Sequence, residues 1–267
     1  MISEGELRRV AGKARLGAGA CELQYVILCA FDALAGTESL AGTFCLKGGT
    51  ALRQLYFSDW RHSEDLDFSV LPAFPLQDLR EGLEAWFREA GARHGVEMSL
   101  RDFHRANGAA RARASYRGPL GHPGRLLLDV TLDEPVLLPP QRLPVVGALF
   151  ASPRPLVLAY ALEEILAEKL RSILQRGKAR DYYDVWRLLG EKGDTFDRAA
   201  ARRLFLQKCD VKGLPEPSAA AFLDRTLLDG AASYWSRDLA GQVTGAFPAW
   251  EDVVAELERL LAQFLAP

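Results

Sequence analysis

The chain has few cysteines and histidines, and neither set has the spacing of a metal site. The four cysteines (Cys21, Cys29, Cys45 and Cys209) form no C-x-x-C pair and stand mostly in apolar surroundings. This pattern is typical of buried free thiols in a reducing compartment. The four histidines show no zinc-ligand spacing, so we do not expect zinc.

The chain also lacks an excess of one charge and a long hydrophobic segment. It has 33 basic and 35 acidic residues among 267, for a formal charge of −2, so bulk charge gives no argument for nucleic-acid binding. The first residues lack the basic and apolar regions of a secretory signal. The longest apolar runs, around Tyr25–Phe31 and Leu156–Leu162, are too short to span a bilayer. We therefore expect a cytoplasmic protein with no membrane partner.

The composition that remains is that of a globular protein, with 49% apolar and 25% charged residues. Prolines cluster between residues 135 and 155, which favours edge strands and a connector there. Helical and strand patterns alternate before this segment, whereas the pattern after it is almost wholly helical. We predict an α/β (α+β) fold with a mixed-sheet domain over residues 1–150 and a helical domain over residues 151–267.

Hydrophobic periodicity predicts the individual elements of both domains. Helices are predicted over 4–16, 20–35, from about 50, 76–94, 156–176, 179–190, 197–208, 217–229 and 248–265, and strands over 43–46, 65–70, 96–103, 110–117 and 125–133.

A glycine-rich turn follows the first predicted strand. Gly48, Gly49 and Thr50 close this strand and open a helix, and paired glycines at a helix start let a phosphate approach the backbone N–H groups. The spacing of a P-loop is absent. Taken alone, the turn is a weak signal, and an ordinary strand-to-helix connection is the favoured interpretation.

Three acids fall on predicted strands. Asp65 and Asp67 share one face of a strand, where two carboxylates repel each other unless a divalent cation lies between them. Carboxylate oxygens suit Mg²⁺ or Mn²⁺; the alternative is a solvated strand face. Asp129 interrupts an apolar run that reads as a central strand, where a lone acid is costly unless it is paired or holds a metal. Asp133, on the same face, is a weaker candidate.

Charged residues on two predicted helices form a further set. Lys169 falls inside the apolar arc of its helix, so its ammonium must either extend to solvent or meet an anion. If that ammonium has no partner within the protein, Lys169→Met should leave stability unchanged or raise it. Asp181 and Asp184 lie three residues apart near the start of the next helix, a placement that the helix dipole alone would favour.

A line of arginines follows one predicted strand. Arg111, Arg113 and Arg117 alternate with Ala112, Ala114 and Tyr116, which puts the guanidiniums on one face. Solvated surface and contact with RNA are both consistent with this pattern.

These motifs together resemble a known enzyme family. A G-G-[ST] turn, a D-x-D strand and a third acid on a later strand resemble the DNA polymerase β-like nucleotidyltransferase superfamily. The longer strings KGGTALRQLYF…RHSEDLDFS and AEKLRSILQRGKARDYYDVW resemble its AbiEii group, the nucleotidyltransferase toxins of bacterial toxin–antitoxin and phage-defence systems. The resemblance covers residues from about 43 to 190.

The resemblance implies a polymerase β-like core, transfer of NMP from an NTP, and an RNA acceptor, with the tRNA 3′ end favoured. It implies a cognate antitoxin as partner. The expected site consists of Asp65, Asp67 and Asp129 on two Mg²⁺ (or Mn²⁺) ions, Gly48, Gly49, Thr50 and Ser63 around the phosphates, Lys169 on the triphosphate, Asp181 and Asp184 as acids essential to activity, and Arg111, Arg113 and Arg117 on RNA. A small molecule or a protein as acceptor, and a catalytically silent binding module, are the alternatives.

Overall fold

The computed structural model describes residues 1–106, 108–215 and 217–266, which divide into two compact units. The first unit comprises Met1–Asp59 and Ser63–Tyr160, and the second comprises Trp60–His62 and the chain from Ala161 onward. The chain thus leaves the first unit for three residues and returns to it. The predicted boundary after residue 150 lies before a strand, Leu156–Ala159, that belongs to the first unit.

The first unit combines helices with one mixed sheet. Its helices are α1 (Glu4–Ala14), α2 (Ala18–Gly36), α3 (Glu38–Ala41), α4 (Gly48–Ala51, continued by a π-helical turn over Leu52–Tyr56) and α5 (Leu79–His94, after a 3-10 turn over Leu76–Asp78). Its strands are β1 (Phe44–Lys47), β2 (Asp65–Val70), β3 (Glu97–Ala106), β4 (Ala109–Arg117), β5 (Pro123–Thr131), β6 (Gln141–Pro144) and β7 (Leu156–Ala159). Among the described residues these strands form one sheet in the order β3-β4-β5-β2-β1-β7-β6.

The two faces of this sheet differ in character. Strand β2 runs antiparallel to β1 and parallel to β5, so β2 lies between them. One face is apolar and buried: Leu66 and Phe68 on β2 and Leu128 on β5 are at most 1% exposed, and the sheet is covered on this side by α2 and α5. Trp86 of α5 packs edge-on against Phe68, with ring centroids 5.9 Å apart. Because strand side chains alternate, the acids between these residues all lie on the other face.

The second unit is helical among its described residues. Its helices are α6 (Leu162–Arg176), α7 (Ala179–Gly190), α8 (Arg198–Val211), α9 (Ala219–Phe222), α10 (Arg225–Leu239) and α11 (Trp250–Leu265). Helix α6 contacts α7 and α8, and α7 contacts α10 and α11. Lys208 of α8 is 1% exposed and is held by two acids of α6, with its Nζ 3.0 Å from Glu164 Oε1 and 3.1 Å from Glu168 Oε1.

The helix predicted over 156–176 is wrong in its first turns. Residues Leu156–Ala159 form β7, which pairs in parallel with β1, and Tyr160 N donates to Leu46 O at 3.0 Å. Helix α6 begins only at Leu162, with Glu163 and Glu164 in its first turn. A short apolar run has no periodicity that distinguishes a buried strand from a helix. The sequence pattern therefore assigned β7 and α6 to one helix.

The helix predicted over 217–229 is also wrong. The described part of this segment contains the short α9 and then α10, which continues to Leu239. Asp224 separates them as the N-cap of α10, and its carboxylate accepts from the N–H groups of Thr226 and Leu227. An Asp at this position indicates the start of a new helix. The helix predicted from hydrophobic periodicity ran across it because periodicity alone does not register an N-cap.

Helix α2 is unusually long and apolar. Its 19 residues make it the one described helix with the length and composition to cross a membrane, with a mean hydropathy of 1.4. However, 67% of that stretch is buried, and α2 contacts α1, α5, β5 and β7. The uninterrupted apolar run around Tyr25–Phe31 is only part of this helix, so the expectation from that run is too short. A buried core helix of this kind meets the same criteria as a membrane span.

All four cysteines are free thiols and are buried, as the sequence predicted. Burial raises the pKa of Cys21, Cys29 and Cys209 to about 11. Three of the four lie in the first unit, and Cys209 lies on α8 of the second.

Candidate active site

The polar face of the sheet brings three acids together on neighbouring strands. Asp65 and Asp67 lie on the same face of β2, and Asp129 on β5 is the register partner of Asp67. Neighbouring strands lie about 4.8 Å apart, so Asp67 and Asp129 are adjacent across the sheet. On the other side of β2, Lys47 of β1 is the register partner of Asp67.

The environment of Asp129 differs from the expectation. The sequence suggested an acid buried in a central strand, but the Asp129 side chain is 53% exposed because this face of β5 is open. Its Oδ1 accepts from Arg111 Nε at 2.9 Å, and Arg111 is its register partner on β4. The sequence predicted that Asp129 is paired or holds a metal. In the structure its partner is Arg111 on the next strand.

The acids fit a divalent cation in chemistry but do not form a complete cage. Asp65 and Asp67 offer only carboxylate oxygens, the ligands that Mg²⁺ and Mn²⁺ prefer. Over residues 1–106, 108–215 and 217–266, no group of three His, Cys, Asp or Glu side chains could hold a metal ion. The ion pair of Asp129 with Arg111 is consistent with this finding.

The glycine-rich turn lies directly against the acids. Gly48 has φ +71°, and a Cβ at this position would lie 2.4 Å from Asp67 Oδ2. Only glycine adopts this backbone without strain and leaves room for the carboxylate. Thr50 is 1% exposed, and its hydroxyl donates to the main-chain oxygen of Asp65. The described contact of Thr50 therefore ties the turn to β2.

Ser63 and Gly49 are the other two residues that the family resemblance assigns to phosphate binding. Both lie in the first unit. Ser63 is 5% exposed, and its main-chain oxygen accepts from Gln24 Nε2 at 3.1 Å. Gly49 is buried within α4.

The arginines of β4 alternate with buried residues as predicted, but each faces a carboxylate. Arg111 pairs with Asp129, Arg113 Nη1 lies 3.2 Å from Asp102 Oδ2, and Arg117 Nε lies 3.7 Å from Glu97 Oε2. Half-exposed pairs of this kind contribute about 0–1 kcal/mol each. The line of guanidiniums is thus largely neutralised by neighbouring acids of the same unit.

The second unit holds the remaining predicted residues in one buried cluster. Lys169 Nζ on α6 lies 2.8 Å from Asp181 Oδ1 and 2.9 Å from Asp184 Oδ2, both on α7. Arg61 donates to both oxygens of Asp184, from Nε at 2.8 Å and from Nη2 at 2.7 Å. Trp60 Nε1 adds a fourth bond, to Asp184 Oδ1 at 2.9 Å.

The cluster fixes the charge state of its members. Burial alone would raise the pKa of Asp184, but Arg61 and Lys169 outweigh it and lower that pKa to about 2. Burial would likewise raise the pKa of Asp181, and Lys169 and Arg176 lower it. The pKa of Lys169 is raised because the two carboxylates outweigh its burial. All three groups are therefore ionised at neutral pH.

This geometry corrects the interpretation of Lys169. Its ammonium is not unpaired within the protein, because the anions that it meets are Asp181 and Asp184. Its side chain is 12% exposed, and two of its three N–H donors are directed at these carboxylates. No further partner of Lys169 occurs among the described residues. One donor is left for an external anion.

Arg61 is the residue that sequence reasoning missed. Its side chain is 2% exposed and binds Asp184 with the bidentate geometry that favours Arg over Lys. Arg61 stands four residues before Asp65, in the string RHSEDLD that is part of the family resemblance. No sequence pattern pairs it with an acid 123 residues later in the chain. Since Asp184 accepts four hydrogen bonds, its acceptor sites are filled.

Comparisons with known proteins identify the family. Residues 32–256 match the family model described as nucleotidyl transferase AbiEii toxin, type IV TA system. The chain belongs to this family, which confirms the expected family, the mixed α/β fold and the nucleotidyltransferase class. It is a nucleotidyltransferase toxin of a type IV toxin–antitoxin system, and the family implies a cognate antitoxin.

A solved structure has a similar fold. MenT4, a nucleotidyltransferase toxin from Mycobacterium tuberculosis H37Rv, matches with a TM-score of 0.70 at 22% identity, over 100% of this chain and 89% of that chain. None of the curated proteins compared with the chain matches it significantly.

Replacing Gly48 by alanine tests the close approach of the turn to β2. Gly121→Ala is the matched control, because Gly121 has φ +72° but open space around its Cβ position. Both variants should lose about 1 kcal/mol of stability from the left-handed backbone. Only Gly48→Ala displaces Asp67, so only this variant should also lose nucleotidyl transfer, by about tenfold or more. Thermal unfolding and transfer rates measure the two effects; equal activity of the two variants would contradict the argument.

The pH dependence of stability tests the Asp184 cluster. The folded-state pKa of about 2 lies below the usual aspartate pKa of 3.8, so ionised Asp184 stabilises the fold above about pH 4. This contribution is lost as the pH falls from about 4 to 2. The difference in unfolding free energy between the wild type and Asp184→Asn should therefore shrink by about 2 kcal/mol between pH 5 and pH 2.

Urea unfolding at a series of pH values measures this difference. Asp229→Asn is the control, because Asp229 has a 74% exposed side chain on α10. Its difference from the wild type should stay nearly constant. A constant difference for Asp184→Asn as well would rule out the buried ion-pair account.

Proposed function

We propose that this toxin transfers a nucleotidyl group from an NTP to the 3′ end of an RNA, with tRNA as the favoured acceptor. The observation that carries the proposal is the row of Asp65, Asp67 and Asp129 beside the Gly48 turn on the open face of the sheet. The family supplies the reaction class. The acceptor, the metal dependence, a cytoplasmic location and a role in phage defence are parts of the proposal.

The reaction requires few groups from the protein. The acceptor hydroxyl attacks the α-phosphorus, the bond to the bridging oxygen of the β-phosphate breaks, and pyrophosphate leaves in line with the attacking oxygen. Bound Mg²⁺ or Mn²⁺ would neutralise phosphate charge and orient the attacking and leaving oxygens. Asp65 and Asp67 would hold these ions together with phosphate oxygens of the substrate, since Mg²⁺ is usually bound by one or two carboxylates and by substrate phosphates.

Residues of this chain supply the remaining steps. Asp129 is exposed and accepts the proton of the attacking hydroxyl, and Arg111 beside it orients its carboxylate. The Gly48–Thr50 turn and Ser63 surround the phosphates. Lys169 neutralises charge on the leaving pyrophosphate with its remaining donor. Asp184 acts through Lys169, because its four acceptor sites are filled and none is left for a substrate proton. Asp181 holds the same ammonium.

The acceptor is tested with labelled NTPs. The toxin is incubated with NTPs labelled on the α-phosphate, Mg²⁺ and total RNA, with or without added protein and an aminoglycoside. Label in RNA supports the proposal, and label in protein or in the small molecule identifies another acceptor. Label in none of them would support a silent binding module. Omission of Mg²⁺ with added chelator tests metal dependence in the same assay.

Asp67→Asn removes one charge from the acid row and keeps the side-chain volume. Transfer should fall by at least about a hundredfold, because a neutral amide is a weaker ligand for a hard cation. Folding should be preserved, since the change relieves carboxylate repulsion on this face. Asp78→Asn, an exposed acid of the same unit, should keep full activity. Near-normal transfer by Asp67→Asn would remove the acid row from the mechanism.

Lys169→Met separates a catalytic role from a structural one when it is compared with Lys208→Met. Each lysine is held by two acids of the second unit, so each variant should lose about 3 kcal/mol of stability. Only Lys169→Met should lose NTP affinity and reduce transfer, by about a hundredfold. Transfer rates and binding of a fluorescent NTP are measured below both melting temperatures. Equal effects of the two variants on NTP affinity would refute a contact between Lys169 and the nucleotide.

A further inference from the structure

A depression on the polar face of the first unit lies next to the acid row. Its volume is about 340 Å³. It is lined by Leu23, Glu64, Asp65, Arg113, Arg125 and Leu127. A cavity of this size accommodates one small ligand, and a nucleic-acid duplex is too large for it.

Leu127 gives the depression an apolar floor within a charged surface. It lies on β5 with Asp65 of β2 as its register partner on one side and Arg113 of β4 on the other. It is 47% exposed, whereas Leu126 and Leu128 on the opposite face are at most 1% exposed. An exposed leucine between a carboxylate and a guanidinium offers a surface on which a flat ring can stack.

Arg125 supplies a cation that the protein does not neutralise. The arginines of β4 each face a carboxylate, but Arg125 has no ion pair or hydrogen bond among the residues that the structure describes. It is exposed and lines the same depression as Leu127, two residues away on the same strand face. This guanidinium is therefore available to a phosphate.

The strand order indicates which substrate the depression faces. The Gly48 turn follows β1, on one side of β2, whereas β5 and β4 lie on the other side of β2. In the proposed reaction the attacking and leaving oxygens lie on opposite sides of the phosphorus. If the triphosphate lies at the turn, the acceptor hydroxyl approaches from the β5 side, where the depression is.

We propose that this depression binds the 3′-terminal nucleoside of a single-stranded RNA end. The terminal base stacks on Leu127, and Arg125 binds the phosphate on the 5′ side of that nucleoside. The terminal hydroxyl is then presented at Asp65 and Asp129. This inference rests on the proposed function, because it assigns the acceptor site of that same reaction.

Two variants and one control test the assignment. Arg125→Glu reverses the unpaired charge, and Leu127→Asn removes the apolar floor; both side chains are exposed, so melting temperatures should not change. Arg142→Glu on β6, at the other edge of the sheet, makes the same charge change at an exposed arginine. The probe is a short single-stranded RNA with a 3′ hydroxyl and a fluorophore at its 5′ end.

Fluorescence anisotropy gives the RNA dissociation constant, and a fluorescent NTP gives nucleotide affinity. Arg125→Glu and Leu127→Asn should each weaken RNA binding by about tenfold and leave NTP affinity within twofold. Arg142→Glu should change neither. With an RNA whose 3′-terminal residue is abasic, binding to the wild type should weaken, and Leu127→Asn should cause almost no further loss. A merely structural role of Leu127 would weaken both RNAs equally.

Failure of this inference can be distinguished from failure of the proposed function. If the wild type labels RNA but both variants bind and label it normally, the depression is not the acceptor site and the proposed function stands. If the wild type places label in a protein or a small molecule and none in RNA, the RNA function and this site are both overturned. An equal tenfold loss for Leu127→Asn with the abasic RNA would refute the stacking contact.

Discussion

The buried carboxylate of Asp184 imposes the strongest physical constraint on the second unit. An isolated charge in the interior costs several kcal/mol, so it persists only when its partners are complete. Trp60, Arg61 and Lys169 complete it with four hydrogen bonds. Two of these partners come from the segment Trp60–His62, which the chain inserts into the second unit between the glycine turn and the acid strand. The ion pair of Arg61 with Asp184 therefore holds residues just before Asp65 in the second unit.

The sheet of the first unit depends on a simpler constraint, the alternation of strand side chains. On β2 and β5, each buried residue that contributes to the core places its neighbours on the open face. Packing beneath the sheet thus fixes where the acids, Arg125 and Leu127 lie. The same face carries ion pairs that offset the arginines of β4, whereas Arg125 has no such partner among the described residues.

Local sequence patterns predicted much of this architecture. The features that they did not predict depend on pairing between residues far apart in the chain. Two-residue alternation was sufficient to place Asp65 and Asp67 on one side of β2 and the arginines of β4 on one side of that strand. The strand register puts both sets on the same face of the sheet. The apolar arc limited the ammonium of Lys169 to solvent or an anion, but it did not identify Asp181 and Asp184 as that anion. Arg61, the exposure of Asp129 and strand β7 each depend on a partner distant in the chain. A single sequence carries no direct signal for such pairs.

The four buried thiols have a practical consequence for measuring how this protein opens. A thiol that is buried and has a raised pKa reacts slowly, because the thiolate is the reactive species and reagent has no access to it. Alkylation under native conditions therefore reports transient exposure. Cys209 belongs to one unit and the other three cysteines to the other. The native chain thus carries a built-in chemical reporter for each unit, and mass spectrometry of the modified peptides can follow the two openings separately.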